Sequence, residues 1–147
     1  MSMTGNVIYS VLVASGLTST AVMQMAPHLR PETADYFEVG SITAERSDNT
    51  AILHVERTIK APLIMSYAVR VFSVSDGLAV MTCAANGGPY LYRPDAALPN
   101  PITLKWWTDG ECPSIPPGRV QIETTWQPVG PAMAPVSVTT DVRGERP

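Results

Sequence analysis

The hydrophobic pattern of this chain changes period once. Val7–Ala26 is an apolar stretch dotted with Ser and Thr and free of Asp, Glu, Lys and Arg. From Tyr36 onward, apolar positions recur with a period of two, in short runs punctuated by Pro, Gly and Asp. The first pattern predicts one helix. About 20 residues rising ~1.5 Å each match a hydrocarbon core of ~30 Å, so that helix is long enough to cross a bilayer. The second pattern predicts strands.

Phe37–Glu45 reads as a first strand and Ile52–Ile59 as a second, with Leu53, Val55, Arg57 and Ile59 on one face. In the next run Ile64, Ala68, Phe72 and Val74 alternate with Ser66 and Arg70, while Met65, Tyr67, Val69 and Val71 keep the other face apolar. That two-sided character marks a central strand. Asp76-Gly77 then separates this run from Leu78–Ala84. It predicts a type I′ hairpin, because both central positions of that turn need positive φ. Asn86-Gly87-Gly88-Pro89 breaks the pattern, and Pro94, Pro99 and Pro101 keep it broken. Ile102–Trp107 is expected as a short strand. Val120, Ile122, Thr124 and Trp126 form a one-sided strand, and Val136, Val138, Thr140 and Val142 form the last.

About seven short strands with turn signals between them and no long amphipathic helix predict an all-β fold. The expected form is an antiparallel immunoglobulin-like β-sandwich over 36–142, preceded by one N-terminal transmembrane helix. A small barrel is the alternative. Residues 1–6 are then a short tail, 7–26 the helix, 27–35 a linker and 143–147 a flexible tail. Pro27 and Pro31 disfavour helix before them, so the helix is expected to stop near Ala26.

The apolar segment admits three readings. A cleaved secretory signal, leaving a secreted β-sandwich, wants a basic leader and a small-x-small site. Met1–Asn6 has no basic side chain, and the sites near Ser19–Ala21 and Ala26 are poor. A core helix wants a charged or amide face. A signal-anchor helix retained in lipid fits best, making membrane lipid the first expected partner. Along it Ser10, Ala14 and Thr18 repeat at i, i+4 and i+8. Such a stripe permits close helix–helix approach with other subunits. It is also what simple tolerance of small residues produces.

Charge narrows the partners. The net charge is −3, and the ten Lys and Arg are scattered without a run. A nucleic-acid footprint needs clustered positive charge, so no nucleic-acid partner is expected. No nucleotide motif is present. His54 has no recognisable nucleophile partner, and no Gly-x-Ser-x-Gly turn occurs. The expectation is a non-catalytic protein without a cofactor or metal. The cysteines number two, Cys83 and Cys112, and no Cys-x-x-Cys exists. A disulfide between them is expected, in an oxidising compartment, which places the C-terminal domain on the periplasmic or extracellular side of the membrane. Two buried free thiols are the alternative.

Trp106-Trp107 is the most unusual dipeptide in the chain. On a strand one ring must face inward and one outward. An outward Trp can stack on a sugar or anchor a partner, and Tyr90 and Tyr92 can extend that surface. Packing beneath a proline-rich loop is the competing reading.

Two segments carry resemblances. Pro117-Gly118-Arg119-Val120 resembles the turn before the penultimate strand of immunoglobulin-like and fibronectin-like modules, with Val120 where those families place a Tyr. The run Leu98-Pro99 to Thr108, then Cys112-Pro113 to Arg119, ending Thr125-Trp126, resembles a group of small uncharacterised membrane-anchored proteins of bacteria and their phages. That resemblance covers about thirty residues and implies an envelope or virion component. The resulting expectation is a membrane-anchored structural or accessory subunit of an envelope or virion assembly. The alternative is an extracytoplasmic display domain that binds a ligand through Trp106, Trp107, Tyr90 and Tyr92.

Overall fold

The computed structural model describes residues 32–130 and 133–144. The expected helix over 7–26, its Ser10, Ala14 and Thr18 stripe, most of the linker and the end of the tail lie outside the described residues. No helix among the described residues is long and apolar enough to cross a membrane.

The described chain is all-β. A 3-10 turn, Thr33–Asp35, leads into β1 (Phe37–Ser47), β2 (Thr50–Ile59), β3 (Leu63–Ser75) and β4 (Leu78–Tyr92). The two-residue β5 (Ile102–Thr103) runs into the one-turn helix α1 (Leu104–Trp107), and β6 (Val120–Pro128) and β7 (Val136–Arg143) complete the fold. They hydrogen-bond in the order β4-β3-β6-β7-β1-β2-β5. The sheet rolls on itself, because Phe37 of β1 meets Tyr92 of β4 with ring centroids 6.3 Å apart, although the two strands lie far apart in that order.

Within this frame the period-two reading holds for some strands and shifts for others. β6 buries Val120, Ile122, Thr124 and Trp126, while Gln121, Glu123 and Thr125 face outward. On β2 Ala51, Leu53, Val55 and Ile59 are buried, with Arg57 half-buried on the same face. The β3–β4 hairpin turns through Asp76 and Gly77 with φ of 53° and 76°, and Ser75 pairs with Leu78. This is the two-residue turn that Asp-Gly favours.

Three expectations are corrected. β7 pairs with β1 in parallel, at Ala44 with Val142 and Glu45 with Arg143, so the sheet is mixed rather than wholly antiparallel. The last strand returns beside the first through a crossover comprising most of the domain. β3 keeps its expected two-sided character: it buries Leu63, Met65, Val69 and Val71 and leaves Ala68 and Phe72 half-buried on its other face. β4 does not end at Ala84 but continues through Asn86-Gly87-Gly88-Pro89 to Tyr92. It is an edge strand, where a proline without an N–H is tolerated. Ile102–Trp107 is a strand for only two residues before it becomes helix, and the reason lies in its cap.

That cap is Thr103. Its hydroxyl accepts a hydrogen bond from the Trp106 N–H at 3.1 Å, meeting one donor that a helix start leaves unpaired. At the other end Asp109 and Gly110 take positive φ, and the Gly110 N–H bonds the Lys105 carbonyl at 2.8 Å. Such a left-handed close satisfies the last carbonyls of a helix. The Thr108 hydroxyl then accepts from the Cys112 N–H at 3.0 Å and donates to the Leu104 carbonyl at 2.8 Å. The chain is thereby folded back so that Cys112 is 0% exposed. It bonds Cys83 of β4 with Cα atoms 5.9 Å apart, the expected disulfide.

The core is centred on Trp126, which is 1% exposed. Phe37 lies 5.3 Å from it and Trp107 lies 6.1 Å from it, centroid to centroid. Aromatic pairs at these separations add to area burial. Near the β1–β2 turn, the Arg46 Nη2 donates to the carbonyls of Pro116 at 3.0 Å and Gly118 at 2.8 Å, which holds the proline-rich loop against the sheet.

Candidate functional site: an aromatic groove

A bulge and a helix turn build the site. Along β4, Tyr67 faces Gly87 and Met65 faces Tyr90, so Ser66 opposes two residues, Gly88 and Pro89. One extra residue reverses the face of everything after it. Tyr90 and Tyr92 therefore lie on the inner face with buried Met65 and Leu63, their cross-strand partners, and on the same side as Cys83 and Ala85. Without the bulge both tyrosines would face away. Cross-strand partners share a face, so Tyr67 stands over Gly87. A Cβ at Gly87 would sit 2.3 Å from the Tyr67 ring. Glycine is required there by the ring, not by the backbone.

This close approach gives a first expected result. Gly87→Ala pushes the Tyr67 ring out of place and lowers stability by about 1–3 kcal/mol, the usual range for overpacking. Urea unfolding followed by circular dichroism measures it, and an unchanged midpoint would refute the contact.

The groove has a volume of about 860 Å³. Tyr67 and Tyr90 form one wall, stacked with centroids 6.1 Å apart and planes 22° apart. Trp106 stands in another wall, carried on α1 with its side chain 57% exposed. Trp107, one residue on, points inward and joins Trp126 in the floor. The helix, not strand alternation, separates the two Trp rings. The Tyr67 hydroxyl donates to the Trp107 carbonyl at 2.8 Å, which ties the β3 side to the α1 side. All four aromatics singled out from the sequence border this groove. Tyr90 is 53% exposed, whereas Tyr92 is buried and contributes mainly to the base.

Three charged side chains also border it: Arg57, Lys105 and Asp109. Among the described residues none of them takes part in an ion pair. The Arg57 guanidinium lies over the Tyr92 ring at 5.2 Å from its centroid. Burial pulls the Arg57 pKa below its ordinary value, with Tyr92 acting in the opposite sense. Burial raises the Tyr92 pKa, Arg57 opposes that rise, and the neighbouring Tyr67 and Tyr90 add to it. Tyr67 is raised by burial first, then by Tyr90 and Asp109. The hydroxyls of Tyr67 and Tyr92 therefore stay protonated, and so able to donate, above the ordinary phenol range.

Sequence reasoning missed Tyr67, Arg57, Lys105, Asp109 and Trp126 as groove residues. One signal was available. A Gly-Gly pair inside an otherwise β-rich run marks a bulge or a close approach, and reading it so extends β4 to Tyr92 and brings Tyr67 into view. The charged residues carried no such signal, since each is unremarkable in its own segment. No protein-family model matches the chain, and no curated protein matches it, so the chemistry of the groove rests on the residues that line it.

Proposed function

We propose that this is a non-catalytic binding protein that captures its ligand in the aromatic groove. Its β-sandwich is displayed on the periplasmic or extracellular side of a membrane, and the apolar Val7–Ala26 segment anchors it there. The observation that carries the reading is the convergence of Tyr67, Tyr90 and Trp106 on one groove of about 860 Å³, with two half-open aromatic rings left in water. Exposed aromatic surface of this kind marks interaction sites, and a concave site that combines aromatic rings with placed polar groups is a usual form of small-ligand site. The disulfide fits an oxidising compartment.

The test is an array of glycans and peptides screened with the full chain and with Trp106→Ala. Trp106 is exposed and lies outside the core cluster, so the variant is expected to keep the wild-type circular dichroism and Tm. Its expected loss in affinity for the captured ligand is tenfold or more, about 1.4 kcal/mol. Array hits that survive the substitution unchanged, or no hits at all, would sink the reading.

A second reading, an accessory subunit of an envelope or virion assembly, has its own observation. The edge strand β4 contains no charged residue over its fifteen positions, and Leu78, Val80 and Met81 are exposed near its turn. Natural edges normally carry charge against pairing. A second copy adding edge to edge by β4 would bury this strip in a symmetric contact. Sedimentation velocity of the same samples separates the readings, because assembly requires mass that rises with concentration.

A further inference from the structure

The groove holds an imbalance that its aromatic walls do not explain. Arg57 is half-buried, aimed across Tyr92, and has no carboxylate partner among the described residues. Taking a cation out of water is costly unless an anion meets it. Lys105, exposed at the same groove, adds a second cation without an ion pair, against one carboxylate, that of Asp109, among the described residues. The local excess is positive in a chain whose net charge is −3. A ligand supplying one anion completes Arg57.

The walls restrict the rest of that ligand. Aromatic faces are electron-rich and attract surfaces edged with C–H groups. The open groove leaves part of any occupant hydrated, which suits a molecule with hydroxyls along its rim. An aliphatic tail would gain more from a closed apolar cavity. A pyranose ring has a C–H face, a hydroxyl rim, and, in uronic-acid form, a carboxylate on the ring. Resting on the groove as a binding site, we infer that it takes a carboxylate-bearing saccharide, with a ring face against Trp106 and Tyr90 and the carboxylate toward Arg57 and Lys105. Proline-rich peptides also dock on aromatic grooves. They bring no obligatory anion, so they leave Arg57 unexplained.

The experiment is isothermal titration of the full chain in lipid nanodiscs against four probes. These are a galacturonate trimer, a hyaluronan tetrasaccharide, the neutral trimer cellotriose and a proline-rich decapeptide. One or both acidic probes are expected to bind at least about tenfold more tightly than cellotriose, with affinity falling as salt rises. Arg57→Gln is expected to remove most of that preference by weakening the acidic probes tenfold or more, and Arg57→Lys to restore part of it. Lys105→Gln repeats the test on an exposed side chain, with no risk to the core. Equal binding of acidic and neutral saccharides, or Trp106-dependent binding of the peptide alone, overturns the ligand class while leaving the groove as a binding site. Absence of any Trp106-dependent ligand, here and on the array, overturns both.

Discussion

Replacing Trp126 by alanine is expected to destabilise the domain by about 3–5 kcal/mol, the range for removing a large aromatic from a packed core. The ring is 1% exposed and joins its own strand to two other elements. It sits on β6, packs on Phe37 of β1 at 5.3 Å and on Trp107 of α1 at 6.1 Å. Its loss opens a cavity where the rolled sheet closes on itself, and a close-packed core collapses only partly into such a space. Domains of this size have about 5–15 kcal/mol in all, so the variant is expected near the edge of folding. Thermal unfolding by circular dichroism should show a Tm lowered by roughly 15 °C or more. Gln127→Ala, next in sequence and exposed, should move it little. A fall under about 1 kcal/mol for Trp126→Ala would mean that the ring does not sit at the centre of the core.

The same ring shows how far the sequence could be read. Trp126 was placed on the buried face of its strand by simple alternation with Gln121, Glu123, Thr125 and Gln127, and it lies there. Alternation works where both neighbours of a strand are regular. The Asp76-Gly77 turn was equally legible, because its φ requirement is local. Alternation fails at bulges. Gly40 is an extra residue in β1, between the pairs Val39 with Arg57 and Ser41 with Glu56, so the buried set changes from Phe37 to Ile42 and Ala44. Thr82 does the same in β4, between Met81 and Cys83. A bulge is decided by the partner strand as well as by the bulged one, and the partner is unknown from sequence. Trp106-Trp107 failed for a different reason. Thr103 is both the last residue of β5 and the cap of α1, and only the fold shows that the strand ends there.

The candidate site divides along the same line. Tyr90, Tyr92, Trp106 and Trp107 could be picked out because large aromatics near Gly and Pro are conspicuous. Their convergence could not be read, since it depends on the β4 bulge and on α1 turning the Trp pair. Arg57 illustrates the remainder. On β2 it interrupts an apolar face, which from sequence looks like an ordinary amphipathic stem covering the core. Only the rolled sheet brings it to Tyr92, and only then is it visible that no carboxylate among the described residues pairs with it.

Removing the disulfide is expected to destabilise the fold by about 3–4 kcal/mol, and to loosen one wall of the groove. The bond closes a loop across a separation of 29 residues, and the chain-entropy model assigns roughly that much to a loop of this length. Its position makes the effect local as well as global. Cys83 belongs to β4, the strand of Tyr90, and Cys112 follows the turn that ends α1, the helix of Trp106. The bond therefore ties the strand of one wall to the loop that follows the helix of the other, and the hydrogen bond from the Tyr67 hydroxyl to the Trp107 carbonyl links the same two sides. In the double variant Cys83→Ala, Cys112→Ala, urea unfolding should shift by the stated amount. Acrylamide quenching of tryptophan fluorescence should rise while the protein is still folded, as the loop that backs α1 gains freedom. Treating the wild-type protein with reductant should reproduce both changes, and alkylation followed by mass spectrometry should then count two new thiols. A double variant that unfolds within about 1 kcal/mol of wild type, with unchanged quenching, would show that the turn at Thr108 and the packing of Ile115 hold this wall without the bond.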